Sequence, residues 1–384
     1  MLAFCFSYFC PMAGIYIHIP FCKQACHYCD FHFSTSLKYK DELLQVLIKE
    51  INLQKTYLGS ETIETIYFGG GTPSILGADE LNLLIGTITG LHTVVANAEI
   101  TIEANPDDLD KAKLQALRQT DINRFSIGIQ SFFDDDLAWM NRVHRAAEAE
   151  ASVKRAQDIG FENITVDLIY GYPLLNDTKW KHNLNKVFEL DIPHVSSYSM
   201  TVEPQTALAA FIKKKKQPAM DEQQSAEQFI LLMDAMQTHG FEHYEISNFC
   251  KPGHYSRHNS NYWKGVKYLG IGPSAHSFNG ETRQWNVANN AKYIQSLEKA
   301  EIPSDTEVLT ETDRLNEYIM TSLRTMWGLD LKKLDTIARG TGSELVKAAN
   351  RYFENGWVEQ KDEVIYLTPT GKLYADNIAS GLFF

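Results

Sequence analysis

Three cysteines near the start of the chain, Cys22, Cys26 and Cys29, have the spacing CxxxCxxC. They follow an apolar run, residues 14–19, that predicts a β-strand. Three thiolates on one short loop can each ligate one iron of a 4Fe–4S cluster, whereas most protein-held clusters take four cysteines. The fourth iron is then left open to a small-molecule chelator. The spacing therefore predicts a cluster that binds a second cofactor.

Two simpler interpretations of the three cysteines remain. One is a structural zinc site with His27 or His32 as its fourth ligand, and the other is a set of free thiols. Zinc sites usually pair CxxC half-sites across a longer stretch, and the sequence has no second pair. The chain has six cysteines in 384 residues, which is too few for a disulfide framework. An oxygen-sensitive cluster also needs a reducing compartment, so we expect a cytoplasmic protein.

Short β-rich runs alternate with longer amphipathic stretches along the first half of the chain. This alternation is typical of βαβ units and a parallel sheet. Chemistry in parallel barrels lies at the carboxyl ends of the strands, and unusual polar residues follow several of these runs. We therefore expect an α/β fold, a partial (β/α)6 barrel. The predicted strands are 14–19, 62–68, 99–103, 124–129, 164–168 and 195–200.

The second predicted strand ends in three glycines followed by Thr72. Glycines without a Cβ allow a ligand to approach the backbone N–H groups, although such a run is often only a tight link to the next helix. Glu103, Gln130 and Asp167 lie at or near the ends of the next three strands. Each of them could instead cap a helix or pair with a cation. Their shared edge favours a binding site.

Together these motifs resemble the coproporphyrinogen-oxidase-like branch of the radical S-adenosylmethionine (SAM) proteins, whose open iron holds the amino and carboxyl groups of SAM. The resemblance covers nearly everything from residue 12 onward. It implies that Tyr16, Gly70 and Glu103 contact this SAM. Oxidases of the branch hold a second SAM nearby. The positions that match that second site are Tyr28, Gly71, Thr72, Gln130, Arg142 and Asp167.

Two departures separate the oxidases of this branch from its heme chaperones. Oxygen-independent coproporphyrinogen III oxidases carry a further cysteine two residues after the third one, where this sequence has Phe31. They also have a long N-terminal extension, and few residues precede Tyr16 here. Both departures indicate a heme chaperone that passes heme, as cargo, to an unidentified acceptor protein. The alternative is a radical oxidase that decarboxylates coproporphyrinogen III.

A third motif, His258-Asn-Ser-Asn-Tyr-Trp263, resembles the HNxxYW motif of the chaperones in this branch. Imidazole can ligate heme iron, and aromatic rings can stack on the macrocycle. His258, Tyr262 and Trp263 are therefore the predicted heme-binding residues, with Cys250 and His254 as alternative ligands. The simpler interpretation is that this aromatic segment packs against the barrel without contacting heme.

We divide the chain into four parts. Residues 1–11, with Cys5 and Cys10, are interpreted as a tail before a start at Met12. Residues 12–215 form the radical SAM partial barrel, and residues 216–304 a connecting helix and the segment that contains the HNxxYW motif. Residues 305–384 are predicted to form a smaller, mainly helical, winged-helix-like domain.

The charge balance argues against nucleic acid as a partner. The net charge is −12 for the whole chain, and 13 acidic and nine basic residues follow position 304. Phosphate binding needs a basic face, so a winged-helix regulator is the third and weakest interpretation. No run is long and apolar enough to span a bilayer. The lysine run 213–216 allows contact with a membrane surface or with heme propionates.

Overall fold

The computed structural model describes residues 12–384. The interpretation of residues 1–11 as a tail, with Cys5 and Cys10, lies outside the described residues. Within 12–384, no helix combines the length and the apolar character needed to cross a membrane.

Six parallel strands in chain order form the predicted partial barrel, and a helix follows each of the first five. Ile15 and Ile17 point outward to these helices and are buried, while the alternating Tyr16 and His18 face the inside. The strands are β1 Met12–Ile19, β2 Thr62–Gly70, β3 Val94–Ala104, β4 Arg124–Gln130, β5 Ile164–Tyr170 and β6 His194–Ser199. The helices are α1 Lys40–Leu53, α2 Ala78–Leu91, α3 Lys111–Leu117, α4 Asp134–Trp139, α5 Ala146–Asp158 and α6 Asp177–Glu189.

The middle of the chain extends both edges of this sheet. One strand pairs in parallel with β1, another pairs antiparallel with β6, and a third pairs antiparallel with that second strand. The sequence interpretation divided residues 216–304 into a connecting helix and a motif-bearing segment. These elements are α7 Ala207–Lys213, α8 Glu222–Thr238, β7 Glu242–Glu245, β8 Asn248–Cys250, α9 Arg257–Lys264, β9 Lys267–Ile271, β10 His276–Phe278, β11 Thr282–Asn286, α10 Asn290–Glu298 and β12 Ser304–Val308. The resulting order, for the described residues, is β12-β11-β10-β9-β1-β2-β3-β4-β5-β6-β8-β7.

The last part of the chain forms a smaller unit with its own apolar core. Its order, helix, strand, three helices, two strands and a last helix, is winged-helix-like, which confirms the predicted fold class. The elements are α11 Glu311–Leu323, β13 Leu329–Asp330, α12 Leu331–Ile337, α13 Thr341–Ala348, α14 Asn350–Glu354, β14 Val358–Lys361, β15 Val364–Leu367 and α15 Ala375–Ser380. Before the last helix, the Thr368 hydroxyl accepts from the Gly371 N–H at 3.1 Å.

This unit attaches to β7 through main-chain hydrogen bonds. The Ile246 N–H donates to the Arg324 carbonyl, and the Met326 N–H donates to the Tyr244 carbonyl, both at 3.0 Å. The Arg324 guanidinium also lies 3.3 Å from the buried Glu245 carboxylate. The C-terminal unit therefore continues the pairing at this edge of the sheet.

A buried carboxylate ties the first helix to the added strands. Glu50 in α1 is fully buried and accepts hydrogen bonds from the Gly272 N–H at 2.8 Å, from Asn286 Nδ2 at 2.7 Å and from Gln54 Nε2 at 2.9 Å. The Tyr293 hydroxyl donates to Oε2, the same oxygen that accepts from the Gly272 N–H. Because four donors converge on one side chain, its removal leaves all of them without an acceptor.

We expect Glu50→Ala to lower the free energy of unfolding by about 3 kcal/mol, the usual cost of breaking a buried polar network. Urea denaturation followed by circular dichroism measures this change. Glu42→Ala, on the exposed face of the same helix, is the control and should change stability by less than about 0.5 kcal/mol. Equal effects of the two substitutions would contradict the role of Glu50.

Candidate metal centre

The cysteine loop starts where β1 ends and is held by main-chain hydrogen bonds. The Cys22 N–H donates to the Ser34 carbonyl at 3.0 Å, and the Ser34 N–H donates to the Pro20 carbonyl at 2.8 Å. The His27 N–H reaches the Met140 carbonyl at 3.1 Å. These contacts close the loop into a ring that carries the three partly exposed thiols.

Burial changes the acidity of two of the three thiols, which lose their protons when they bind metal. Burial raises the pKa of the Cys29 thiol to about 11, and it also raises the pKa of Cys22. Iron would have to displace these protons. The Arg142 guanidinium donates to Cys26 Sγ at 3.4 Å, which places a positive charge beside this sulfur.

The geometry disfavours the zinc alternative. His27 Nδ1 lies 2.9 Å from the Trp139 carbonyl, and His32 Nε2 lies 2.7 Å from Asn290 Oδ1, so both predicted fourth ligands bond elsewhere. Among residues 12–384, no three His, Cys, Asp or Glu side chains are grouped closely enough to hold a single metal ion. A 4Fe–4S cluster needs one thiolate per iron rather than several around one ion.

The glycine run after β2 packs against the end of β1. A Cβ on Gly71 would lie 2.6 Å from the Phe21 carbonyl oxygen, and a Cβ on Gly70 would lie 2.5 Å from the His18 ring. Gly70 also has φ +107°, a region that favours glycine. Both glycines are thus required by packing as well as open to a ligand.

Tyr16 and Glu103 are two of the residues predicted to contact SAM. They lie on β1 and β3, the strands on either side of β2, which ends in the glycine run. Glu103 accepts from the Tyr67 hydroxyl at 2.8 Å and from the Gly70 N–H at 3.0 Å. Tyr16 is opposite Tyr67 in the sheet, and its hydroxyl lies 3.1 Å from His18 Nδ1. Burial raises the pKa of Glu103 to about 7. Sequence analysis missed Tyr67 and His18, although both face inward in the strand alternation.

Arg142 connects the cysteine loop to the end of β4. One of its nitrogens contacts Cys26, while the other donates to Asn105 Oδ1 at 2.6 Å and to the Gly128 carbonyl at 2.8 Å. Asn105 in turn donates to Thr72 Oγ1 at 3.1 Å. The Asn105 side chain makes no capping hydrogen bond to the short helix that follows it.

The other residues of the predicted second SAM site lie in the same region. Tyr28 is close enough to Arg142 and Cys26 for their charges to act on its pKa, which burial raises well above the usual range. Gln130 ends β4 with φ +70°. Burial raises the pKa of Asp167 to about 6, and the Ser126 hydroxyl lies 3.4 Å from its carboxylate.

The HNxxYW motif lies at the opposite end of the barrel. It begins α9, whose first N–H groups, from Arg257 and His258, both donate to the Glu99 carboxylate at 3.0 Å. The His258 ring approaches Gly14 near the start of β1, whereas the cysteine loop follows the end of that strand. Helix α9 therefore closes the end of the barrel at which the parallel strands begin.

His258 is 2% exposed, and both of its ring nitrogens have partners. Nδ1 lies 2.8 Å from Thr65 Oγ1, and Nε2 lies 3.0 Å from the Tyr262 hydroxyl. The ring stacks on Tyr67 at 4.9 Å, and burial lowers its pKa to about 3. Trp263 is half-buried and lies 5.2 Å from the Arg324 guanidinium.

The alternative heme ligands differ in exposure. Cys250 is buried in β8, while His254 is exposed on the loop before α9. Neither lies next to the cysteine loop in the sheet order, since β8 follows β6.

Comparison with known proteins gives the family. The Radical SAM superfamily matches residues 16–187, and the HemN C-terminal domain matches residues 309–374. Membership of the radical SAM superfamily implies a 4Fe–4S cluster and SAM. In structure, coproporphyrinogen III oxidase (HemN) from Escherichia coli aligns with a TM-score of 0.83 and 24% identity, covering 97% of this chain and 90% of that one. This likeness supports the fold.

Three curated relatives carry the name heme chaperone HemW. The Bacillus subtilis protein is 35% identical over 371 residues, which is 96% of this chain and 98% of the relative. The protein of Mycobacterium tuberculosis strain H37Rv is 33% identical over 96% of this chain and 94% of its own length. The Escherichia coli protein is 34% identical over 69% of this chain and 70% of its own. On these matches, the chain belongs to the HemW family of radical SAM proteins.

Proposed function

We propose that this protein is a heme chaperone that acts in the cytoplasm, holds a 4Fe–4S cluster and SAM, and passes heme to an acceptor protein. The observation that carries the proposal is the convergence of the three thiols with Tyr16, Gly70 and Glu103 at one end of the barrel, in a chain similar to heme chaperones over almost its whole length. The acceptor remains to be identified. The exposed lysine run 213–216 could meet a membrane surface where such an acceptor resides.

In this proposal Cys22, Cys26 and Cys29 each ligate one iron, and SAM chelates the fourth. When bound, the cluster supplies an electron donor and an open iron. The chain itself orients SAM: Glu103 offers a carboxylate to its amino group, and the Gly70 N–H holds that carboxylate in place. A second SAM near Tyr28, Gly71, Thr72, Gln130, Arg142 and Asp167 would have to compete for the hydrogen bonds that Arg142 makes.

A heme role for His258, Tyr262 and Trp263 carries a structural cost. Iron ligation by His258 would break its contact with Thr65 or with Tyr262, and the porphyrin would have to displace α9 from the barrel. Burial of an imidazole that has lost its partner is unfavourable. These residues therefore support the barrel more directly than they offer a heme surface.

The second candidate function is coproporphyrinogen III oxidation, favoured by the retained SAM residues and the shared fold. Against it stands Phe31, 68% exposed, which cannot provide the additional thiol of the oxidases. Because phenylalanine has no sulfur, it also cannot donate an electron pair to an iron near the cluster.

Anaerobic reconstitution should load about four irons per chain, with labile sulfide in equal amount. We expect Cys26→Ser to lose most of this iron, because one of three ligands is removed. Cys250→Ala, which changes a buried thiol in β8, is the control and should keep it. Iron and sulfide analysis with electron paramagnetic resonance (EPR) of the reduced protein measures both. A stably bound zinc without sulfide would contradict the cluster.

Glu103→Gln should weaken SAM binding by about tenfold at pH 8, because a charged acceptor for the SAM amino group becomes neutral. The Glu103 carboxyl itself gains a proton as the pH falls through about 7. The difference between variant and wild type should therefore shrink at pH 6. Anaerobic calorimetry at several pH values measures this, with the exposed Glu222→Gln as control. A pH-independent difference would remove the Glu103 charge from the SAM site.

Coproporphyrinogen III, SAM and a reductant, supplied anaerobically to the cluster-loaded protein, should give no protoporphyrinogen. The porphyrin products can be oxidised and quantified by fluorescence after chromatography. Turnover at an enzymatic rate would overturn the chaperone assignment in favour of the oxidase.

A further inference from the structure

The hairpin of β10 and β11 presents a face of one histidine, one arginine and two aromatic residues. His276 is opposite Trp285, and Phe278 is opposite Arg283, so all four side chains lie on the same side of the hairpin. The other side carries the buried Ser277 and Gln284, and Gln284 donates to Gln54 beside α1 at 3.3 Å. The face of His276, Phe278, Arg283 and Trp285, here called the hairpin face, therefore points away from the helices.

The hairpin face continues the inner face of the barrel. Phe278 is opposite Tyr268 of β9, and Tyr268 is opposite Gly14, whose missing Cβ would point at His258 inside the barrel. One turn of the pleat further along, Gly270 is opposite Tyr16. The hairpin thus pairs with β9, which in turn pairs with β1, the strand that carries Tyr16.

Gly270 allows the hairpin to approach this closely. A Cβ on Gly270 would lie only 2.0 Å from the His276 carbonyl oxygen, so the main chain of His276 crosses directly over the glycine. Since Gly270 and Tyr16 share the inner face, His276 lies on the cavity side of the sheet, one strand away from Tyr16.

His276 also differs chemically from the inward-facing histidines. Both nitrogens of His18 and of His258 are hydrogen-bonded. The exposed His276 ring makes no hydrogen bond within the described chain, and its nearest ring contact is Trp285, with 6.4 Å between ring centroids and an interplanar angle of 29°. An imidazole ligates iron with its ring perpendicular to the macrocycle, so the exposed His276 ring would turn from its present angle to reach the iron of a porphyrin stacked on Trp285.

Arg283 adds a positive charge to the same face. Its guanidinium lies 6.0 Å from the Phe278 ring and forms an ion pair of 2.7 Å with the partly exposed Glu317. Only one of its nitrogens takes part in that pair, so other N–H groups remain for an anion. This face therefore complements a ligand with three features. They are a planar apolar body, an iron that binds imidazole, and carboxylate groups at the rim.

We propose that the hairpin face is the heme site, with His276 as the iron ligand, Trp285 stacked on the porphyrin and Arg283 paired with a propionate. This inference rests on the proposed chaperone function and replaces its ligand at His258. Heme bound here would lie on the inner face of the sheet, with β9 between it and Tyr16, the residue predicted to contact SAM.

The test is a titration of the cluster-loaded chain with hemin, followed by the Soret band. In His276→Ala we expect the dissociation constant to rise by at least about tenfold and the Soret band to move towards that of free hemin. His182→Ala, an exposed histidine on the outer surface of α6, is the matched control and should bind as wild type. In His276→Gly, added imidazole should restore the wild-type band.

Two further variants separate ligation from stacking. Metal-free protoporphyrin IX should bind His276→Ala as it binds wild type, because it has no iron to ligate, whereas Trp285→Ala should weaken both porphyrins by about fivefold or more. Unchanged hemin binding in His276→Ala, or a Soret shift in His258→Gln instead, would overturn the inference while the chaperone function stands. A wild-type chain that binds no hemin at all would instead overturn the proposed function.

Discussion

The close packing of two strand ends is the constraint on which the rest of the site depends. The Gly71 N–H donates to the Ile19 carbonyl at 2.9 Å, and no side chain at Gly71 could fit against Phe21. Cys22 follows immediately, so the direction in which the cysteine loop leaves the barrel is set by a contact between main chains. The same contact brings Gly70 to the Glu103 carboxylate. One glycine pair therefore fixes both the metal-binding loop and the SAM-facing acid.

Much of the barrel could be predicted because its signals are local. Buried β-branched runs alternate with amphipathic helices in the first half of the chain, and CxxxCxxC is a pattern of eight residues. The short strands β8 and β10 could not be predicted, since they have three residues each and carry no period. The contact between Asn105 and Arg142 could not be predicted either, because the two residues lie far apart in the sequence. The end of the barrel at which α9 lies depends on long-range pairing, which spacing does not reveal.

A series of contacting aromatic rings connects the two ends of the barrel. Tyr16 and Tyr67 lie 6.1 Å apart, and His258 stacks against Tyr67 from the side of α9. Tyr67 also donates to Glu103, the acid predicted to contact SAM. The Tyr67 ring therefore lies between His258 of the HNxxYW motif and that acid. The HNxxYW segment thus contributes to the shape of the cavity even though it lies far from the cysteines. This arrangement explains how one motif can matter to a site that it does not touch.

The two edges of the main sheet are protected in different ways. An edge strand with free N–H and C=O groups is a template for pairing with other chains. At β12 the sequence Ser-Asp-Thr-Glu-Val supplies exposed acidic side chains that discourage such pairing. At β7 the main-chain groups of Tyr244 and Ile246 are instead taken by residues 324–326. The C-terminal unit therefore covers an edge that would otherwise be free to pair with other chains. A barrel truncated before this unit would expose that edge and aggregate.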